Sequence, residues 1–140
     1  MKNFPSDSGI VFLVCDDFRQ EAGGKSTLLG VYGDTVVIEG ATQDVSDGEI
    51  AIPSLAFYIA FSDGDGEFAV SFELFGPNMR SLLPSGAKQT VVKKPEGWMT
   101  LAFKMMPFPA QEGTYSLNIL LDEKKYVRNF YVQRPLSSSK

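Results

Sequence analysis

The sequence predicts an all-β protein: a two-sheet antiparallel sandwich, immunoglobulin-like in class, with about eight or nine strands and no substantial helix. Three observations predict it. Apolar residues recur at every second position in several segments, as they do when one face of a strand meets a core. Eleven Phe and five Tyr in 140 residues suit strands better than a helical bundle. Gly- and Pro-rich turns divide the chain into short pieces, and antiparallel sheets of this kind need a second layer to bury their apolar faces.

Residues 1–9 carry Pro, Ser, Asp and Gly and read as a flexible terminus before a single domain spanning residues 10–134. Residues 10–15 are apolar without alternation, the mark of a strand buried on both faces. Gly23 and Gly24 break the chain before a strand over 26–32, in which Gly30 reads as a bulge. Residues 35–39 form a short β-branched strand, and 40–49 a polar loop. Leu55, Phe57, Ile59 and Phe61 share one face of a strand, and Phe68, Val70, Phe72 and Leu74 share one face of the next. The turn chemistry of residues 62–66 between them predicts a hairpin. Residues 89–93 read as an edge strand and 98–105 as an alternating one. Pro107 and Pro109 hold a linker extended. The last hairpin runs through Tyr115, Leu117, Ile119 and Leu121, turns at 122–125 and returns over 126–133. Residues 135–140 read as a second flexible terminus.

Within that hairpin, Glu112-Gly113-Thr114-Tyr115 resembles the tyrosine corner of immunoglobulin-like sandwiches, in which a phenol hydroxyl satisfies a backbone group where the chain crosses into a strand. Gly113 and Tyr115 are therefore assigned structural roles. Leu117 stands where an antibody domain carries its second disulfide cysteine. A wider resemblance rests on the opening: Cys15-Asp16-Asp17-Phe18-Arg19-Gln20-Glu21, Gly23-Gly24-Lys25, then Leu28-Leu29-Gly30-Val31-Tyr32. With Ile52-Pro53-Ser54-Leu55 and Gly113-Thr114-Tyr115, this resembles a family of small uncharacterised bacterial all-β proteins, a domain of unknown function. The resemblance implies a compact β domain and carries over no catalytic residue.

Composition narrows the function classes. A formal charge of −4 argues against a nucleic-acid surface, which concentrates Lys and Arg on one face. Lys88, Lys93, Lys94 and Arg80 form the nearest basic cluster, read as solvated turns and a guarded edge strand. Without histidine there is no Ser-His-Asp or Cys-His site and no histidine metal ligand. The single Cys15 excludes an internal disulfide and a zinc site of the Cys/His type. No apolar run approaches the roughly 20 residues that span a bilayer. A cytoplasmic location and no membrane association are expected.

Four clusters invite a chemical reading. Asp63, Asp65 and Glu67 alternate with glycines and could offer calcium its oxygen ligands, although a solvated turn is the plainer account. Asp16 and Asp17 could act as paired carboxylates in a hydrolase, or simply end a strand. Gly23-Gly24-Lys25-Ser26 has the end of a phosphate loop but not its first glycine, since Arg19 occupies that place. Phe75, Met79, Leu82 and Leu83 lie in irregular sequence and form a candidate interaction patch; Trp98 reads as a core or edge residue. The reading leans to a non-enzymatic binding or protein-interaction module, with no cofactor and a protein or small ligand as partner. The alternative is a calcium-assisted ligand- or carbohydrate-binding sandwich. The sequence sets no oligomeric state.

Overall fold

The computed structural model describes residues 2–37, 50–83 and 88–134. The strands among them are β1 (Ile10–Gln20), β2 (Ser26–Val31), β3 (Thr35–Val37), β4 (Ile50–Ile52), β5 (Leu55–Phe61), β6 (Gly66–Phe75), β7 (Gln89–Lys93), β8 (Met99–Met105), β9 (Phe108–Ala110), β10 (Gly113–Leu121) and β11 (Lys124–Gln133). The only helical turn among the described residues is a 3-10 turn at Asp7–Gly9, so none of them belongs to a helix long and apolar enough to cross a membrane.

Two sheets make the sandwich. The first runs β2-β1-β5-β8, all antiparallel; the second runs β3-β11-β10-β6-β7, antiparallel except where β3 lies parallel to β11. In immunoglobulin terms, β1, β5 and β8 stand in the order A-B-E, and β11, β10, β6 and β7 in the order G-F-C-C′. A ribbon of β4 and β9 accompanies them. Its two short strands fall at residues 50–52, directly after the stretch predicted as a loop, and at 108–110, where the sequence predicted an extended linker.

The predicted hairpin of residues 55–61 and 68–74 does not form. β5 belongs to the first sheet and β6 to the second, so residues 62–65 cross between layers. The physical reason is the pair of aromatic faces. In a hairpin they would lie side by side and need a further layer; across the sandwich each covers the other. Ring centroids lie 5.6 Å apart for Phe57 and Phe130, 6.3 Å for Phe61 and Tyr126, and 5.0 Å for Phe72 and Phe103. Leu117 and Phe57 are fully buried as expected, whereas Phe72 is only half-buried.

Gly30 is not a register-shifting bulge. Cys15 pairs with Val31 and Asp17 with Leu29, so no residue is inserted between them. Its φ of 66° and an Asp16 carboxylate oxygen 2.3 Å from where a Cβ would stand explain the glycine instead.

Residues 2–9, read as a terminus outside the domain, are laid against it. Asn3 exchanges two backbone hydrogen bonds of 2.7 Å with Asp65. The Phe4 ring lies 5.1 Å from that of Phe68, and the Tyr126 hydroxyl donates to the Pro5 carbonyl at 2.7 Å. Burial, then the charges of Asp63 and Asp7, push the Tyr126 phenol up to about 12, so it stays a donor. Arg128 holds the Asp7 carboxylate at 3.0 Å and its carbonyl at 2.7 Å, and Lys2 pairs with Asp122. Residues 135–140 lie outside the described residues.

The tyrosine corner forms. The Gln111 N–H donates to the Tyr115 hydroxyl at 2.7 Å, within the connection that leads into β10. Gly113 sits at φ 140°, and a Cβ there would come within 2.8 Å of Pro77. The corner thus needs a residue without a side chain two positions before the tyrosine.

Three outcomes follow for the fold. Leu117→Ala should cost about 2–5 kcal/mol by transfer and cavity formation, read from urea midpoints; a loss below about 0.5 kcal/mol would contradict its burial. Tyr115→Phe should cost about 1–3 kcal/mol by orphaning the Gln111 N–H, and an unchanged midpoint would refute the corner. Hydrogen bonding from Ser6 holds the Asp63 carboxyl below its ordinary value of 3.8. A depressed carboxyl contributes stability above the unfolded value and loses it as pH falls through the folded one. Asp63→Asn should therefore melt less steeply with acid than the parent below pH ~4, and parallel curves would dismiss that role.

Candidate functional site

Strand pairing across the two layers leaves one place empty. β1 and β5 face β11 through Phe12, Phe57 and Phe130, and β8 faces β6 through Phe103 and Phe72. β7 extends the second sheet one strand further, while β8 ends the first. The place beside β8 and opposite β7 is that of strand D in the A-B-E-D order. Among the described residues no strand fills it, and residues 94–98, which connect β7 to β8, are too few to cross between layers and add one.

A groove of about 610 Å³ occupies that place. Phe72 of β6 and Leu101 and Phe103 of β8 form its apolar floor, Lys88 and Gln89 lie on the β7 side, and Gln20 reaches it from the end of β1. Phe72, Leu101, Phe103 and Val91 pack on the core yet stay half-exposed, and no described strand covers their outer flank. Alternate residues of β8 also turn N–H and C=O groups away from β5, as on any edge strand. A smaller hollow of about 390 Å³ shares Ser71, Phe72 and Lys88 with the groove. The groove's described lining holds no carboxylate or thiol, so it offers shape, apolar surface and backbone hydrogen bonding rather than acid–base chemistry.

The residues singled out from sequence lie elsewhere. Asp63 accepts from the Ser6 N–H at 3.1 and 3.3 Å, Asp65 pairs with Asn3 through its backbone, and Glu67 is exposed on β6 opposite Val92. The described residues contain no acidic or thiol group of three that could hold a metal ion. Asp44, Asp47 and Glu49, a further group of carboxylates in the sequence, lie outside the described residues.

Asp16 and Asp17 do not act on one another. The Tyr32 hydroxyl donates to Asp16 at 2.7 Å, whereas Lys104 donates to Asp17 at 2.7 Å. That hydrogen bond from Lys104, helped by the Phe18 N–H, holds the Asp17 carboxyl below its ordinary value. A carboxylate general acid needs the opposite shift. Gly23 and Gly24 make a hairpin turn between antiparallel strands, closed by a 2.7 Å bond from the Glu21 N–H to the Lys25 carbonyl, and no helix follows to receive a phosphate.

Phe75, Met79, Leu82 and Leu83 do not make an exposed patch together. The chain doubles back after β6, with the Leu82 N–H donating to Leu74 at 2.8 Å. This turns Leu82 and Leu83 onto the core and leaves Phe75 half-buried, while Met79 projects from the turn at 77% exposure. The basic cluster disperses likewise: Lys93 is buried and donates to the carbonyls of Gly64 and Lys94. Trp98, read as a core or edge residue, stands 62% exposed in the turn before β8.

Periodicity could not reveal the groove, because the groove lies beside an edge of β8 that none of the described strands pairs. One signal was present: the short link between an edge-type strand at 89–93 and the alternating strand that follows. No protein-family model matches this chain, and a search of the curated proteins finds no match.

Proposed function

We propose that the protein is a non-enzymatic binding module that takes an extended polypeptide segment along β8, in the unfilled place of strand D. One observation supports this above the others: a groove with an apolar floor adjoins the edge of β8 that no described strand pairs. Strand addition draws on both features, since main-chain hydrogen bonds supply affinity and side-chain pockets supply selectivity. On its opening motif we place the chain with the small bacterial β family it resembles. Its cysteine, a buried free thiol in β1, suits a reducing compartment such as the cytoplasm.

A random-peptide display selection against the folded protein should enrich binders that slow amide exchange at alternate residues of β8. Leu101→Glu should weaken them by at least roughly tenfold, or about 1.4 kcal/mol, by setting a charge on the groove floor. Protection confined to β2 or to the outer face of β11 would refute the site.

A further inference from the structure

We infer that the groove's occupant is a lone extended strand of a partner polypeptide, alternately apolar, with an acidic side chain at the end lying beside Lys88. This rests on the reading of the groove as a polypeptide site, and it adds the occupant's architecture and its chemistry.

Width decides the architecture. The second sheet overhangs β8 by one strand, β7, so the free place has a roof over it already. A second copy of this chain laying its own β8 there would bring its β6 along, because Phe72 and Phe103 stack that strand over β8. The partner copy's β6 would then need the space that β7 holds. Antiparallel sheet-edge dimers through β8, which put both second layers on one side, are sterically closed for this reason, and the same clash meets any strand that arrives with a second layer on its inner face. A single segment meets no such obstacle.

Periodicity decides the apolar pattern. β8 offers seven residues, Met99–Met105, of which Leu101 and Phe103 point inward and Thr100 and Ala102 outward. A strand beside it alternates in the same way. Its inward side chains meet Phe72, Leu101, Phe103 and Val91, while its outward ones lie level with Thr100 and Ala102 and meet water. The occupant therefore carries apolar residues at i, i+2 and i+4, with polar residues between them.

Charge decides the end. Lys88 is the charged residue in the groove's described lining. Gln89 pairs with Val70, which sets Lys88 near Phe72 and hence near the Phe103 end of β8. Of the carboxylates of the adjoining hollow, Asp122 feels the charge of Lys88, yet its hydrogen bonds, like those of Glu73, go elsewhere. Asp122 accepts from the Ala69 N–H at 2.9 Å and from Lys2, and Glu73 accepts from Asn118 at 3.0 Å. Glu123 is exposed, and among the described residues no ion pair joins it to Lys88.

The test uses eight-residue peptides, fluorescein-labelled at the N-terminus and amidated at the C-terminus, read by fluorescence anisotropy. Thr-Val-Thr-Leu-Thr-Val-Thr-Glu, whose Glu shares the inward face, should bind roughly tenfold more tightly than Val-Leu-Val-Thr-Thr-Thr-Thr-Glu, which has the same composition but cannot set all its apolar groups on that face. Lys88→Glu, an exposed change that leaves the core untouched, should weaken the first peptide roughly two- to fivefold. The same variant should come to prefer a version ending in Lys. Equal binding of the alternating and blocked peptides would overturn the inference, as would a charge preference indifferent to Lys88→Glu. A concentration-dependent dimer in sedimentation, abolished by Leu101→Glu, would overturn it in favour of a second copy. If display-selected peptides still protect β8 when the inference fails, the polypeptide site survives; if none protects β8, both fall.

Discussion

Two sheets share one core only where each inner face finds another opposite, and here the sheets are unequal at one side. The chain spends its aromatic residues where the layers overlap: Phe12, Phe57, Phe103, Phe72 and Phe130 meet across the middle. Toward β7 the first sheet stops, and burial falls from complete at Phe57 to partial at Phe72, Leu101 and Phe103. The groove is thus a consequence of strand count, and no cavity had to be carved into a finished core. A fully matched pair of sheets would be better covered and would have nothing to offer a ligand.

The other side and the end of the sandwich are closed by different means. β2 folds back on β1, and β3 caps β11 in parallel. Residues 2–9 cover the end where the chain crosses from β5 to β6, using Phe4 as an apolar plug and Tyr126, Arg128 and Asp122 as polar anchors. The tyrosine corner fixes the opposite crossing, from β9 into β10, through one hydroxyl and one position that excludes a side chain. Closure on these sides sharpens the contrast with β8, whose free edge adjoins exposed apolar surface.

Legibility in the sequence followed the range of the interactions. Alternation is local, so the strands at 55–61, 99–105 and 113–121 and the burial of Leu117 could be read directly. The corner was legible because Gly113 and Tyr115 carry its geometry within three residues. Pairing partners were not, since the same alternation serves a hairpin or a crossing, and residues 62–65 have turn chemistry that fits both. The role of residues 2–9 was hidden because Phe4 and Pro5 act only through Phe68 and Tyr126, far away in the chain. Carboxylates drew attention by spacing, yet Asp63, Asp16 and Asp17 are each taken up by a nearby donor. The groove left the faintest trace of all, a link too short to contain a strand.

The anchoring of residues 2–9 also orders events in time. During synthesis Pro5, Asp7 and β3 emerge early, but their partners Tyr126, Arg128 and β11 lie at the far end of the chain. Contacts of such separation form only after a long loop has closed, which slows folding and favours local structure first. The β1–β2 hairpin can assemble at once, whereas β5 and β6 must wait with their aromatic faces uncovered. The second sheet is completed only when β10 and β11 arrive together as a hairpin. A chain cut short before Lys124 would expose β10 and strand residues 2–9, which are the last to find their place.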